Sequence, residues 1–255
     1  MGISSEPFVF DAGAEAEATV LLCHGFTGDP ASMRPWGEHL RDEGFHVVAP
    51  ILPGHGRSWR ELAGTGWDQW FAELVDALEK AESFGLPVFA GGLSMGGSLT
   101  LRLAELHGDR LRGILLVNPA IKDDKPHGFL AQWVHPLVPT VGTIGSDISK
   151  PDVRESTTDR TPLAAYAALR RGWKTTRAEL ARVTVPVRLF TSAQDHVVNP
   201  RASAIVQSGV SSERVEATTL LRSYHVATLD WDAPLIFSES VEFIRSLLAE
   251  EASGV

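Results

Sequence analysis

The sequence is poor in cysteine, in basic residues and in long apolar runs. Its one cysteine among 255 residues, Cys23, excludes an intramolecular disulfide and a metal–thiolate cluster. The 23 Lys and Arg residues are outnumbered by 32 Asp and Glu residues, and the net charge of −9 argues against a general affinity for nucleic acid or for an anionic membrane. No stretch of about 20 apolar residues predicts a transmembrane helix. Residues 1–6 lack the basic and apolar regions of a signal peptide, so we expect a cytoplasmic protein with at most transient contact with a membrane or micelle surface.

Apolar residues make up 44% of the chain, which is enough to form the core of one α/β domain, although the length also allows two small ones. Short β-branched runs alternate with helical patterns. The predicted strands are 18–23, 45–49, 87–91, 113–117, 185–191 and 214–221. Cys23 lies in the first strand, and Trp67 and Trp70 lie on the apolar face of a helix, so all three are expected to be buried. The alternation is typical of a doubly wound, mostly parallel sheet with helices on both faces.

The stretch between Ala120 and Thr184 interrupts this alternation. It contains no convincing strand, and its apolar residues come in short groups between scattered prolines. A bare loop of this length is unusual inside a compact domain. We therefore expect residues 120–184 to form a small helical cap insertion and residues 1–119 and 185–255 to form the core. The cap would lie over the carboxyl ends of the strands, where a doubly wound sheet places its active site.

A serine between two glycines, in the segment Gly92–Gly96 (Gly-Leu-Ser-Met-Gly), directly follows a predicted strand and opens a helical pattern. This spacing suits a sharp strand-to-helix turn, because a side chain at either glycine would collide with the crossing strand and helix. The turn would expose the Ser94 hydroxyl at the positive end of the helix. The motif arises often by chance and also occurs in structural turns, but its place between a strand and a helix predicts a serine hydrolase.

A serine hydroxyl is a weak nucleophile, so it needs a histidine base and an acid that orients the base. In this architecture the chain order is serine, acid, histidine. Asp195 directly follows a predicted strand and is the expected acid, whereas Asp230 and Asp232 come too late in the chain. His225, on the loop after the last predicted strand, is the expected base. His196 neighbours the acid and is expected to face elsewhere in a structural role.

The same chemistry needs two backbone N–H donors for the tetrahedral oxyanion. One is expected from Met95, which follows the serine, and the other from Phe26, in the turn after the first predicted strand. Because only the backbone donates, both side chains are free to line an apolar acyl pocket. His24 is expected to make a structural hydrogen bond, and His55 is expected to be part of the loop structure. The histidines form no ligand-spaced cluster with carboxylates, so no metal site is predicted.

Together these motifs resemble the α/β-hydrolase family, and in particular its bacterial monoacylglycerol lipases and related small carboxylesterases. The segments that carry the resemblance are His24–Gly28, Gly54–Gly56, Gly92–Gly97, Asp195–His196, Tyr224–Asp230 and, in the expected cap, 144–147 and 150–155. The resemblance implies hydrolysis of monoacylglycerol to glycerol and a free fatty acid, without a cofactor. It also implies that Ile144 belongs to the cap wall over the acyl channel and that Glu155 hydrogen-bonds the glycerol hydroxyls. A solvated helix carboxylate is the alternative interpretation of Glu155.

Two other functions fit the same sequence less well. A general carboxylesterase of short-to-medium acyl esters would use the same residues in a wider pocket. A non-catalytic hydrolase-fold binding protein would have little need for a nucleophile, a base and an acid in register. The expected partner is thus a small-molecule lipid ester and not nucleic acid, and the sequence does not indicate an oligomeric state.

Overall fold

A seven-stranded sheet organises the residues that the computed structural model describes, which are 4–122, 135, 137–143 and 146–253. The strands of this part of the chain are β1 (Phe8–Phe10), β2 (Ala18–Cys23), β3 (Phe45–Ala49), β4 (Val88–Leu93), β5 (Gly113–Val117), β6 (Thr140–Gly142), β7 (Arg160–Pro162), β8 (Val187–Ser192) and β9 (Val215–Leu220). The spatial order in the main sheet is β1-β3-β2-β4-β5-β8-β9, and only the edge pair β1 and β3 is antiparallel. The six predicted strands are confirmed, with ends that differ by at most two residues.

Helices cover both faces of this sheet. They are α1 (Arg34–Asp42), α2 (Trp59–Ala63), α3 (Trp67–Glu82), α4 (Met95–His107), α5 (Leu163–Glu179), α6 (Arg201–Gly209) and α7 (Ala233–Ser253). Alternate residues of β2 show the two faces: Leu21 and Cys23 join the apolar cluster beneath α3 and α4, whereas Val20 and Leu22 join the cluster beneath α1 and α7. Strands buried on both faces explain the uninterrupted apolar runs in the sequence, and the doubly wound prediction is confirmed.

The buried positions expected from the sequence are found in the larger of these clusters. Cys23 and Trp70 are fully buried, and Trp67 is 9% exposed. In the described part of the chain, we find no helix with both the length and the apolar character that crossing a membrane requires.

The chain leaves the sheet after β5 and returns to it at β8. In the described part of this interval, β6 and β7 form a two-stranded antiparallel sheet, so the expectation of no strand between residues 120 and 184 is wrong. Strands of three residues are too short to produce a recognisable alternation in the sequence. The following helix, α5, packs against α3 and α4 and shares their apolar cluster. The division into a core and a cap at the stated boundaries stays a prediction.

A largely buried ion pair fastens the last helix to the sheet. Arg188 on β8 has a side chain that is 8% exposed, and its guanidinium donates to the carboxylate of Glu239 on α7. It also donates to the hydroxyl of Thr218 on β9 at 2.6 Å, and a carboxylate oxygen of Glu216 lies 3.9 Å away. A guanidinium removed from water depends on such partners, so the loss of one partner leaves an uncompensated charge.

Replacing Glu239 with glutamine should therefore lower the free energy of unfolding by about 2 kcal/mol, less than the roughly 3–5 kcal/mol typical of a fully buried pair. The smaller value is expected because Glu239 is 24% exposed and Glu216 remains as a second carboxylate. Urea unfolding followed by circular dichroism measures the change. Glu242→Gln, at an exposed site on the same helix, is the matched control and should change stability by less than about 0.5 kcal/mol. Equal stability of the two variants would contradict the role assigned to the pair.

Candidate active site

Ser94 occupies a sharp turn between β4 and α4. Its backbone angles are φ 56° and ψ −115°, a conformation that costs a non-glycine residue about 1–3 kcal/mol. The turn is held by the end of β5, because the Ser94 N–H donates to the carbonyl of Val117 at 3.0 Å and its carbonyl accepts from the N–H of Ala120 at 3.1 Å. Ser94 is 8% exposed and borders a cavity.

The two glycines of the motif stand where chain segments touch. A Cβ atom on Gly92 would overlap the backbone of Gly96, and a Cβ atom on Gly96 would overlap the carbonyl of Cys23 at the end of β2. Strand and helix therefore cross too closely for a side chain at either position, as expected from the spacing of the two glycines.

Asp195 and His225 meet across the loops that follow β8 and β9. The Nδ1–H of His225 donates to Oδ2 of Asp195 at 2.7 Å, and the side chains are 8% and 2% exposed. The other carboxylate oxygen, Oδ1, accepts from the backbone N–H groups of Val197 at 2.8 Å and Val198 at 2.7 Å. Both oxygens of Asp195 are thus engaged, which fixes the orientation of the carboxyl group. The bond at Nδ1 leaves Nε2 of His225 as the basic nitrogen, and His225 borders the same cavity as Ser94.

The electrostatic surroundings favour the charged form of His225. Burial, the largest single influence, lowers the pKa of the imidazole, but the charge and hydrogen bond of Asp195 outweigh it together with the charges of Glu155 and Asp147. The net result is a pKa above the ordinary histidine value of 6.5.

Glu155 places a carboxyl group in this cavity. The residue as a whole is partly exposed, yet burial of the carboxyl raises its pKa to about 7, and the neighbouring His225 only partly opposes the rise. The carboxyl rests against the turn after β2, because a Cβ atom on Gly28 would lie 2.7 Å from Oε1. The Glu155 N–H donates to the Ser146 hydroxyl at 3.0 Å, which fixes the local chain. Ile144, the other residue implied by the family resemblance, lies outside the described residues.

The turn that follows β2 lies beside Ser94: a Cβ atom on Gly25 would lie 3.6 Å from the Cβ of Ser94. Phe26 comes next in this turn, and Met95 is the first residue of α4. The side chains of Phe26 and Met95 point in different directions. Phe26 borders the cavity and packs near Tyr166, with ring centroids 6.3 Å apart. Met95 is fully buried in the core, so the expectation that it lines an acyl pocket is wrong: α4 packs this position towards the sheet.

Two buried histidines have the structural role expected of them. His24 donates from Nδ1 to the carbonyl of Gly25 at 2.9 Å and accepts at Nε2 from the N–H of Leu52 at 3.1 Å, and burial lowers its pKa to about 4. Burial, together with the nearby His24, holds the pKa of His55 well below the ordinary value. Both imidazoles are therefore neutral near pH 7 and stabilise the loops next to Phe26.

Asn118 is a supporting residue that the sequence analysis missed. Its side-chain amide donates to the hydroxyl of Ser192 at 2.9 Å and to the carbonyl of His225 at 2.8 Å, and its oxygen accepts from the N–H of Ser192 at 2.7 Å. Asn118 directly follows β5 and has a φ of 45°. An amide residue immediately after a parallel strand is the signal that could have identified it, because the strand ends share one edge of the sheet.

His196 does not face away from the site as expected. It borders the cavity, its ring lies 4.5 Å from that of Tyr224, and its Nδ1 lies 2.9 Å from Oδ1 of Asp147. Asp147 was assigned no role from the sequence. Pairing with a residue 49 positions earlier explains both errors, because nothing in the local sequence indicates it.

Asp230 is fully buried and holds loops together, consistent with its exclusion as the catalytic acid on chain order. Its carboxylate accepts from the backbone N–H groups of Ser149 at 2.6 Å, Lys150 at 3.0 Å, Tyr224 at 2.9 Å and Trp231 at 2.8 Å. Asp230 thereby fixes the segment after residue 146 to the loop that carries His225.

The cavity has a volume of about 360 Å³ and is lined by two groups of side chains. The apolar group comes mainly from the turn after β2 and from α5, and it includes Phe26, Leu93, Tyr166, Leu169 and Trp173. The polar group comes from residues 146–155 and the loop after β8, and it includes Ser146, Asp147, Glu155 and His196. Among the residues that the structure describes, no three His, Cys, Asp or Glu side chains are grouped as metal ligands.

Comparison with known proteins identifies the family. A family model described as serine aminopeptidase, S33, matches residues 14–232. The chain belongs to this family of α/β-hydrolases. It is 40% identical over 240 residues to a thermostable monoacylglycerol lipase of Bacillus sp. (strain H-257), covering 94% of each chain. It is 28% identical to a carboxylesterase of Bacillus subtilis (strain 168), covering 96% of this chain and 98% of the relative. A solved structure from the metagenome-derived lipolytic enzymes LipS and LipT superposes with a TM-score of 0.91 at 35% identity, covering 95% of this chain and 98% of the other.

The raised pKa of His225 predicts how the reactivity of Ser94 depends on pH. Only neutral imidazole accepts the serine proton, so labelling of Ser94 by a fluorophosphonate should slow as the pH falls through that pKa, with a midpoint above 6.5. In Glu155→Gln the midpoint should move down, because a negative charge that stabilises the imidazolium is gone. Both effects are measured from the labelling rates between about pH 5 and pH 9, an interval that includes the usual titration of histidine. Ser94→Ala has no hydroxyl to label and is the blank. A parent midpoint at or below 6.5, or an upward move in Glu155→Gln, would contradict the electrostatic account.

Proposed function

We propose that this protein is a serine hydrolase that cleaves monoacylglycerol to glycerol and a free fatty acid through an acyl-enzyme. The observation that carries the proposal is one cavity that holds Ser94, the Asp195–His225 pair, a buried carboxyl group and an apolar wall. An ester with a polar alcohol part and a long acyl chain fits both groups of lining residues. The 40% identity to a thermostable monoacylglycerol lipase supports the same substrate class.

In the proposed mechanism, Nε2 of His225 removes the proton of Ser94 as the hydroxyl attacks the ester carbonyl. Asp195, bonded to Nδ1 at 2.7 Å, stabilises the imidazolium that forms. The backbone N–H groups of Phe26 and Met95 stabilise the oxyanion. The imidazolium then protonates the departing glycerol oxygen, which leaves the acyl group on Ser94. A water molecule, deprotonated by His225, attacks this acyl-enzyme and releases the fatty acid.

Selectivity in this proposal comes from the two kinds of lining residue. The Glu155 carboxyl hydrogen-bonds the glycerol hydroxyls, and the apolar group around Phe26 and α5 takes the acyl chain. Each buried methylene group contributes about 0.8 kcal/mol, so longer chains bind more tightly until the wall is filled. A second acyl chain on the alcohol part would place apolar atoms against a buried carboxyl group and leave it without a hydrogen-bond partner, which disfavours diacylglycerol.

We also propose that residues 120–184 act as a cap on a core formed by residues 1–119 and 185–255. The hydrogen bonds from residues 146–158 support this role, because they reach the loops after β2, β8 and β9. Thr158, for example, donates its N–H to the carbonyl of Thr27 at 3.0 Å. The proposed position of Ile144 in the wall of this cap, the cytoplasmic location and transient contact with lipid surfaces stay predictions.

A general carboxylesterase of short-to-medium acyl esters is the second candidate, favoured by the 28% identity to a carboxylesterase along almost the whole chain. The two candidates differ in the role of Glu155. An esterase that does not recognise the alcohol part of its substrate would not need a carboxyl group beside His225. A binding protein without activity is disfavoured by the 2.7 Å bond between Asp195 and His225 beside the Ser94 cavity.

Steady-state hydrolysis of a monoacylglycerol series, compared with diacylglycerols and p-nitrophenyl esters of the same acyl chains, tests the proposal. We expect the highest kcat/KM for medium-chain or long-chain monoacylglycerols and no turnover by Ser94→Ala. Glu155→Gln should lower kcat/KM for glyceryl esters by about 10-fold or more relative to p-nitrophenyl esters, which is the usual effect of losing a hydrogen bond to a charged group.

The matched control is Asp152→Asn, which removes one carboxylate at an exposed position of the same segment. It should leave the ratio of glyceryl to p-nitrophenyl turnover unchanged. Faster turnover of short simple esters, with no effect of Glu155→Gln on that ratio, would favour the general esterase. No turnover of any ester would overturn both enzyme hypotheses.

A further inference from the structure

Asp147 makes four hydrogen bonds to the loops that carry the candidate acid and base. Its Oδ2 accepts from the backbone N–H of His196 at 3.1 Å and from that of His225 at 3.2 Å. Its Oδ1 lies 2.9 Å from Nδ1 of the His196 ring, and its backbone carbonyl accepts from the N–H of Val226 at 3.0 Å. The Asp147 side chain is 16% exposed and the His196 side chain 61% exposed, so the bond to the backbone of His225 is better shielded from water than the bonds to His196.

The donors belong to two loops that are separate in the chain. His196 directly follows Asp195 in the loop after β8, whereas His225 lies in the loop after β9. One carboxylate oxygen of Asp147 therefore joins the backbone next to the acid to the backbone of the base. The hydrogen bond between Asp195 and His225 depends on the distance between these two loops. A shift of about 1 Å in such a pair can lower the rate by a factor of 10².

We propose that Asp147 is a positioning residue, which sets the spacing of the two loops and so the direction in which His225 presents Nε2 to Ser94. The inference rests on the proposed function and deepens it. Asp147 belongs to the segment that also carries Glu155, so the residue that recognises the alcohol part and the base that acts on the ester share one anchor.

The segment has a second anchor, which makes Asp147 testable on its own. Asp230 accepts from the N–H groups of Ser149 and Lys150 as well as from that of Tyr224, on the His225 loop. With Asp230 intact, the segment stays attached when the Asp147 carboxylate is removed. The loss should then be confined to the bonds that Asp147 makes.

Asp147 also contributes charge to the site. The groups that face the imidazole of His225 are Asp195, Glu155 and Asp147, and each negative charge raises the pKa of His225 against the opposing effect of burial. Asparagine at position 147 keeps an oxygen for the two backbone N–H groups but loses the charge. Alanine loses both, so the two variants separate geometry from electrostatics.

The experiment measures kcat, KM and the pH dependence of kcat/KM for a p-nitrophenyl ester with Asp147→Ala, Asp147→Asn and the parent. In Asp147→Ala we expect kcat to fall by about 10- to 100-fold with little change in KM. In Asp147→Asn we expect a smaller fall in kcat and an acid limb that moves to lower pH, because the imidazolium has lost a stabilising charge. Asp152→Asn removes the same charge at an exposed position of the segment, where φ is 63° and asparagine is well tolerated. It should match the parent.

The melting temperature of each variant is measured alongside. A parent that turns over no ester would refute the proposed function, whatever Asp147 does. If the parent is active, a kcat close to the parent value in Asp147→Ala would overturn the positioning role. So would an Asp147→Asn variant whose activity falls only in step with its melting temperature and whose acid limb does not move.

Discussion

The close crossing of α4 over the end of β2 is the constraint on which the site depends. With no side chain at Gly96, the first turn of the helix touches the carbonyl of Cys23. The chain that continues from Cys23 then passes beside the strand-to-helix turn, which brings Gly25 next to Ser94, and Phe26 follows in the same turn. Hydrogen bonds from the end of β5 to the backbone of Ser94 offset the strain of its positive φ. Packing of backbone against backbone thus sets the positions of the candidate nucleophile and of one candidate oxyanion donor together.

The remaining residues of the site depend on hydrogen bonds from polar side chains as well as on packing. The loops after β8 and β9 bury Val198, Val226 and Leu229 in the apolar clusters. They are also held by Asn118, Asp147 and Asp230, each of which accepts from or donates to several backbone groups. Such bonds are strong where water is excluded, and leaving one unmade is costly there. We therefore expect a change at any of these three residues to move the candidate acid relative to the candidate base.

The sequence was sufficient for the features that arise from local pattern. The buried parallel strands are continuous apolar runs, and the order of Ser94, Asp195 and His225 follows from the architecture that those runs indicate. The residues that were missed act over long separations: Asp147 pairs with His225, 78 positions later, and Asn118 pairs with it 107 positions later. The side chain of Met95 was misplaced for a related reason, since only the packing of α4 on the sheet decides which way its first residue points. The edge strand β1 and the three-residue strands β6 and β7 are too short for their period to show in a single sequence.

In the proposed mechanism, electrostatics inside the cavity couples the recognition of substrate to the chemistry. Glu155 and His225 are close enough that each favours the charged form of the other, while burial opposes the charge on both. In the proposed mechanism the imidazolium forms as the serine attacks. The ionised carboxyl of Glu155 then stabilises a full positive charge on His225, which was absent before the attack. An alcohol part that hydrogen-bonds Glu155 replaces the water that the carboxyl has lost and so favours its ionised form. A glycerol ester would then assist its own cleavage through Glu155, whereas a simple alkyl ester would offer this carboxyl no hydrogen bond and would leave its pKa raised by burial.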